Sequence, residues 1–123
     1  MKLAAPLGHI VFVWFPEDER IMIPGPKFRP CLVIATDTVD GGPDRVLVVP
    51  GTSQNTMKTY RGEFVVPAKM QSILRKDTKF NLRVQVWLPV TEEYFADDSS
   101  QQLTEVMSPT LFIDMREAYG ELR

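Results

Sequence analysis

Ten prolines in 123 residues constrain this chain more than any other feature. Proline fixes φ and has no N–H, so it ends helices and interrupts central strands. Here the prolines are spread along the chain and cut it into segments too short for a helix bundle. A small barrel of short strands suits that spacing. The length fits a single domain, residues 1–123, that buries about two-thirds of the surface of its unfolded form. With 44% hydrophobic and 24% charged residues the composition is that of a globular protein and not a disordered one.

Between the prolines, β-branched and aromatic runs mark the strands. Gly8 to Phe15 reads as the first, closed by Pro16, and residues 16–28 as a long loop of the kind that often carries function. Residues 30–36 read as the second strand, Asp40 to Asp44 as a turn, Arg45 to Pro50 as the third strand, and Gly62 to Val66 as the fourth. A polar loop, Gly51 to Tyr60, follows the third strand. Residues 68–76 place Met70, Ile73 and Leu74 at helical spacing over a short stretch. Arg83 to Leu88 alternates, with Val84, Val86 and Leu88 on one face. Thr91 caps a short helix with Glu92 and Glu93 in its first turn, where the helix dipole favours acids. Ser108, Pro109 and Gly120 frame a terminal helix with the apolar stripe Leu111, Phe112, Met115, Ala118 and Tyr119. The expected class is mainly β, a small bent sheet or barrel with short helices and a C-terminal helix.

Several chemistries are absent. One cysteine, Cys31, and one histidine, His9, make neither a zinc site nor an internal disulfide. Cys31 lies in a strand-like run and reads as a small buried hydrophobe. No phosphate-cradling glycine loop and no Gly-x-Ser-x-Gly elbow occur. Ile10 to Phe15 is too short, and is followed by the wrong residues, for a signal peptide. No stretch approaches the roughly 20 apolar residues of a membrane span. A cytoplasmic protein without a metal or other cofactor, and with no membrane partner, is the expectation.

Net charge is −2, unevenly spread. Residues 58–90 hold seven basic and two acidic residues, and residues 91–123 hold two basic and eight acidic. The basic middle suits contact with phosphate; alternatively, the acidic last third folds over it and neutralises it. One polar cluster remains. Arg29 opens the second strand, and Thr52, Ser53, Gln54 and Asn55 follow the third. If these strands pair antiparallel through the turn at 40–44, Arg29 and Thr52 meet at one end of the sheet, where an arginine and hydroxyls can hold a phosphate. The alternative is that Arg29 pairs with an acid and Thr52 caps a turn.

The ordered segments GHIVFVWFP, KFRPCLVIAT and VLVVPGTSQN resemble the MazF/PemK toxins of bacterial toxin–antitoxin pairs, over roughly residues 8–56. The resemblance implies an SH3-like barrel (MazF/PemK/CcdB-like), usually homodimeric, that cleaves single-stranded RNA at short sequences without a metal and is inhibited by a cognate antitoxin protein. It implies that Arg29 contacts the scissile phosphate and takes part in acid–base chemistry. Thr52 holds the phosphate or developing charge, and Ser53 and Gln54 line the site. Lys79-Phe80-Asn81 is the nearest counterpart of a late Arg-x-Asp pair, which makes Lys79 and Asn81 substrate-binding candidates. Phe28, Phe80 and Trp87 are candidates for base stacking.

The chain departs from the family at His9, where an acid is usual, at the apolar Ile21-Met22-Ile23-Pro24, and at Asn81, which cannot act as a general base as aspartate does. Two other readings use the same barrel: an inactive RNA- or protein-binding module, and a gyrase-directed toxin.

Overall fold

The computed structural model describes residues 3–18 and 20–123. The chain is mainly β and forms a curled antiparallel half-barrel with a short helix and a C-terminal helix. In chain order the elements are β1 (His9–Trp14), β2 (Phe28–Asp37), β3 (Arg45–Thr52), β4 (Glu63–Val66), β5 (Thr78–Asn81), β6 (Val86–Pro89), α1 (Glu92–Phe95), β7 (Thr104–Val106) and α2 (Leu111–Gly120). Neighbours across the sheet run β4-β5-β3-β2-β1-β7, with β6 also paired to β3.

The near-continuous apolar runs of β1, β2 and β3 follow from burial on both faces of the sheet. A strand with one face in water alternates apolar and polar residues; one covered on both sides does not. On one face Val11, Val13, Cys31, Val33, Val46, Val48 and Leu88 pack under Tyr94 and Phe95 of α1. On the other, Ile10, Leu32, Val49, Phe64, Val66 and Phe80 pack under Met107 and under Leu111 and Ala118 of α2. Each such side chain contributes about 1.5–3 kcal/mol when fully buried. The β2–β3 register slips between Val33 and Ala35, leaving Ile34 as an extra residue. A bulge of this kind sharpens the twist and helps the sheet curl.

β3 carries two ladders along one edge. Arg45 to Val48 pairs with β6, and Gly51 and Thr52 pair with β5. Pro50, which has no N–H, lies between them. Gly51 stands where β2 and β5 close in on β3: a Cβ there would lie 2.6 Å from Thr78 Cγ2, 2.9 Å from Phe80 Cε1 and 2.9 Å from the Pro30 carbonyl oxygen.

The structure differs from the sequence reading in several elements. Residues 68–76 hold only a single 3-10 turn, Ala68–Met70. The next residue, Gln71, is a buried polar side chain that hydrogen-bonds to Glu105 and Ser108. The strand expected from Arg83 begins at Val86, because Asn81 turns the chain: its side-chain oxygen accepts from the Arg83 N–H and its carbonyl from the Val84 N–H. The apolar face is nonetheless as expected, with Val84, Val86 and Leu88 in one core. Thr91 stands at the N-cap of α1 without a side-chain capping bond. Tyr119 of the expected α2 stripe is exposed. No helix of the described residues is long and apolar enough to cross a membrane.

Gly51→Ala forces backbone and aromatic atoms apart at the fork of β3. The expected outcome is a loss of about 1–3 kcal/mol, measured by chemical denaturation, with little change in the denaturant slope.

Candidate functional site

A cleft of about 690 Å³ opens at the end of the sheet where β2 begins and β3 ends. Its floor is the end of β3 and the residues just past it, Gly51 to Gln54. One flank is Lys27 to Pro30 at the head of β2. The other is Ile73 to Lys76 with Thr78, the segment that runs into β5. Phe12 and Leu103 complete the lining.

Antiparallel pairing brings Arg29 and Thr52 together. Cys31 pairs with Pro50, so the same register carried two residues further sets Arg29 opposite Thr52. Arg29 is half-buried, and among the described residues no acid pairs with its guanidinium. The Thr52 hydroxyl oxygen accepts the Gln54 N–H at 3.1 Å, so Thr52 caps the turn that presents Ser53 and Gln54. A hydroxyl has one proton to donate and two lone pairs, so that bond leaves its O–H available to an oxyanion. Phe28 lines the cleft, its ring against Phe12 and Trp14 at centroid distances of 5.6 Å and 4.8 Å.

Lys79 and Asn81 are not brought to the cleft. Successive strand residues point to opposite faces: Thr78 lines the cleft, and the buried Lys79 does not. The Lys79 ammonium donates to the carbonyls of Asn55 at 3.1 Å and Lys58 at 3.0 Å and lies 3.5 Å from Glu63. It holds the loop that leads away from Thr52. The Asn81 side-chain oxygen accepts from the Arg83 backbone and Nε. Of the other aromatic candidates, Phe80 is core, and Trp87 faces outward beneath Arg45, 5.2 Å from its guanidinium carbon.

Lys27, Arg75 and Lys76 line the site although the sequence reading did not single them out. The net positive charge of residues 58–90 is the only signal for Arg75 and Lys76, and Lys27 has none. Among the described residues no ion pair joins that segment to the acidic last third. The last third packs against it through other bonds. Arg61 donates to the Glu121 backbone carbonyl, and Gly62 N–H to the Glu121 carboxylate.

Glu105 on β7 fixes the second flank. Its carboxylate accepts from Ser72 Oγ, from Gln71 Nε2 at 2.6 Å and from the Ile73 N–H at 3.3 Å. The Ser72 bond is the largest influence holding the Glu105 carboxyl below its usual range; partial burial opposes it, and the Ile73 and Gln71 bonds add to it. Cys31 is fully buried, and desolvation pushes its thiol far up, outweighing the nearby Arg29 charge, so it is no nucleophile. His9 bonds to the Thr104 hydroxyl and lies outside the cleft. Among the described residues no group of three or more His, Cys, Asp or Glu side chains is placed to hold a metal. No protein-family model matches this chain, and no curated protein matches it in sequence.

Two outcomes follow from these contacts. Lys79→Met leaves Glu63 without its buried ammonium and frees the 55–58 loop; stability falls by about 3 kcal/mol in urea unfolding. Because the Glu105 pKa is lowered on folding, its contribution is complete above about pH 4.5 and is lost as pH falls through the lowered value. The wild-type urea midpoint therefore falls more steeply than that of Glu105→Gln between about pH 5 and about pH 3.

Proposed function

We propose that this protein binds single-stranded RNA across the Arg29–Thr52 cleft and cleaves it without a metal, in the manner of the MazF/PemK toxins it resembles. The observation that carries this reading is the half-buried Arg29, without an acid partner among the described residues, set beside the Thr52 hydroxyl in a cleft whose charged lining residues are all basic.

RNA supplies its own nucleophile. The 2′-hydroxyl attacks the adjacent phosphorus and loses its proton, and the P–O5′ bond breaks as the 5′-oxygen gains one. The products are a 2′,3′-cyclic phosphate and a 5′-hydroxyl. Arg29 holds the non-bridging oxygens through two parallel N–H bonds and stabilises the charge that builds on them. Thr52 adds its O–H, and the Ser53–Gln54 turn fixes the sugar–phosphate alignment. Unpaired bases are open to stacking on Phe28. The protein acts in the cytoplasm as a homodimer, and its inhibitor is a small antitoxin. The exposed apolar Ile21-Met22-Ile23 in the loop before β2 gives that antitoxin an apolar contact.

One observation favours a second reading. Among the described residues no carboxylate or imidazole lines the cleft, so proton transfer rests on Arg29, on the cleft lysines or on solvent. A binding module on the same barrel, directed at RNA or at a protein such as gyrase, needs no such group.

The test is cleavage of long single-stranded RNA in EDTA. Cuts at a short recurring sequence are expected, with at least about a hundredfold loss in Arg29→Ala, a smaller loss in Thr52→Ala and none of the cutting on DNA. Intact RNA across several substrates, with folded wild-type protein free of inhibitor, removes the enzyme reading and leaves the binding module.

A further inference from the structure

We propose that Arg75 and Lys76 form a second phosphate subsite, so that the cleft takes a run of at least two consecutive phosphodiesters and not a single nucleotide. This rests on the RNA reading of the Arg29 cleft and names the minimum substrate that reading requires.

The placement follows from strand order. β5, β3 and β2 are successive neighbours. Arg29 opens β2 on one side of the β3 end, and Lys76 lies two residues before β5 on the other. Adjacent strands are about 4.8 Å apart, so the two flanks stand about 10 Å apart across the Gly51–Thr52 floor. Both flanks are basic. Among the described residues neither Arg75 nor Lys76 has an acid partner, and no acid lines the cleft between them and Arg29. Two cationic positions separated by a floor of hydroxyl and amide groups suit a backbone whose charges recur at each nucleotide, with sugar and base between.

The flank is also held in place. The residues just before Arg75 are bound to the Glu105 carboxylate through Gln71, Ser72 and the Ile73 N–H. A binding wall anchored in this way loses less freedom when it grips a ligand than a free loop does. An acidic peptide shares the charge but has no planar bases, and the aromatic side chain on the Arg29 flank favours RNA.

The experiment measures binding of fluorescent oligoribonucleotides, with the scissile 2′-hydroxyls replaced by 2′-methoxy groups, by wild type, Arg29→Ala and the double variant Arg75→Ala/Lys76→Ala. Arg75 and Lys76 are exposed, and circular dichroism verifies that the double variant is folded. In wild type, affinity rises from a dinucleotide to a hexanucleotide; in the double variant most of that rise is lost, on the order of tenfold or more. The slope of log affinity against log salt becomes shallower by about 0.7, the contribution of one single-strand phosphate no longer neutralised.

A double variant with the wild-type length dependence and salt slope, beside an Arg29→Ala variant that has lost affinity, overturns the second subsite and leaves the proposed function standing. Wild type that binds no oligoribonucleotide overturns both. So does binding of an oligoglutamate of equal charge, sensitive to the double variant, when no RNA binds.

Discussion

The fold depends on one edge of β3 serving two neighbours in turn. Its first half is laddered to β6 and its last two residues to β5, with β2 running along the opposite edge. This fork lets one sheet be covered twice: the β6 side closes over the core beneath α1, and the β4–β5 side over the core beneath α2. It also fixes the cleft, because the end of β3 has strands closing on it from both flanks. Gly51 permits the approach, since any side chain there would meet Thr78, Phe80 and the Pro30 carbonyl. The packing that stabilises the sheet and the gap that can take a ligand thus share one backbone position.

What the sequence made legible follows from this arrangement. β1, β2 and β3 were readable because burial on both faces leaves unbroken apolar runs, and α2 because its apolar spacing is a local signal, although it starts at Leu111 after Thr110, two residues later than Ser108 and Pro109 imply. β5 and β7 were not. They are short, they lack clear alternation, and they exist because longer strands offer them an edge. β7 pairs only with β1, and Glu105 within it is occupied with the residues just past the 3-10 turn. The helical spacing of Met70, Ile73 and Leu74 was overridden by a buried Gln71, whose bonds to distant residues no local pattern encodes.

The candidate site was legible in the same measure. Antiparallel logic alone sets Arg29 against Thr52, and the β2–β3 register, which runs up to Cys31 and Pro50, brings both residues to the same cleft. For Thr52 the turn-capping reading holds, since its hydroxyl accepts the Gln54 N–H, and the residue also lines the cleft. Lys79 was placed by analogy of position along the chain, but the two-residue period of a strand sends it to the face opposite Thr78, where it stitches a loop to Glu63. Lys27 reaches the site as the near neighbour of Arg29, whereas Arg75 and Lys76 reach it only through chain reversals, so a charge count could mark their region but not their place.

The attachment of the Ile73–Lys76 flank differs in kind from the rest of the cleft. Arg29 and Thr52 are held by strand register, Arg29 opposite Val13 of β1 and Thr52 opposite Lys79 of β5, so neither can shift without disturbing the sheet. The second flank is held outside the ladders, by the Glu105 carboxylate, by the bonds of Gln71 to Val106 and Ser108, and by Leu74 in the core beneath α2. Insertions or exchanges there alter nothing in the ladders. Descendants of this sequence can exchange the flank's exposed residues, Arg75 and Lys76, without touching either core, so divergence in ligand preference is expected to accumulate there more than at Arg29 and Thr52.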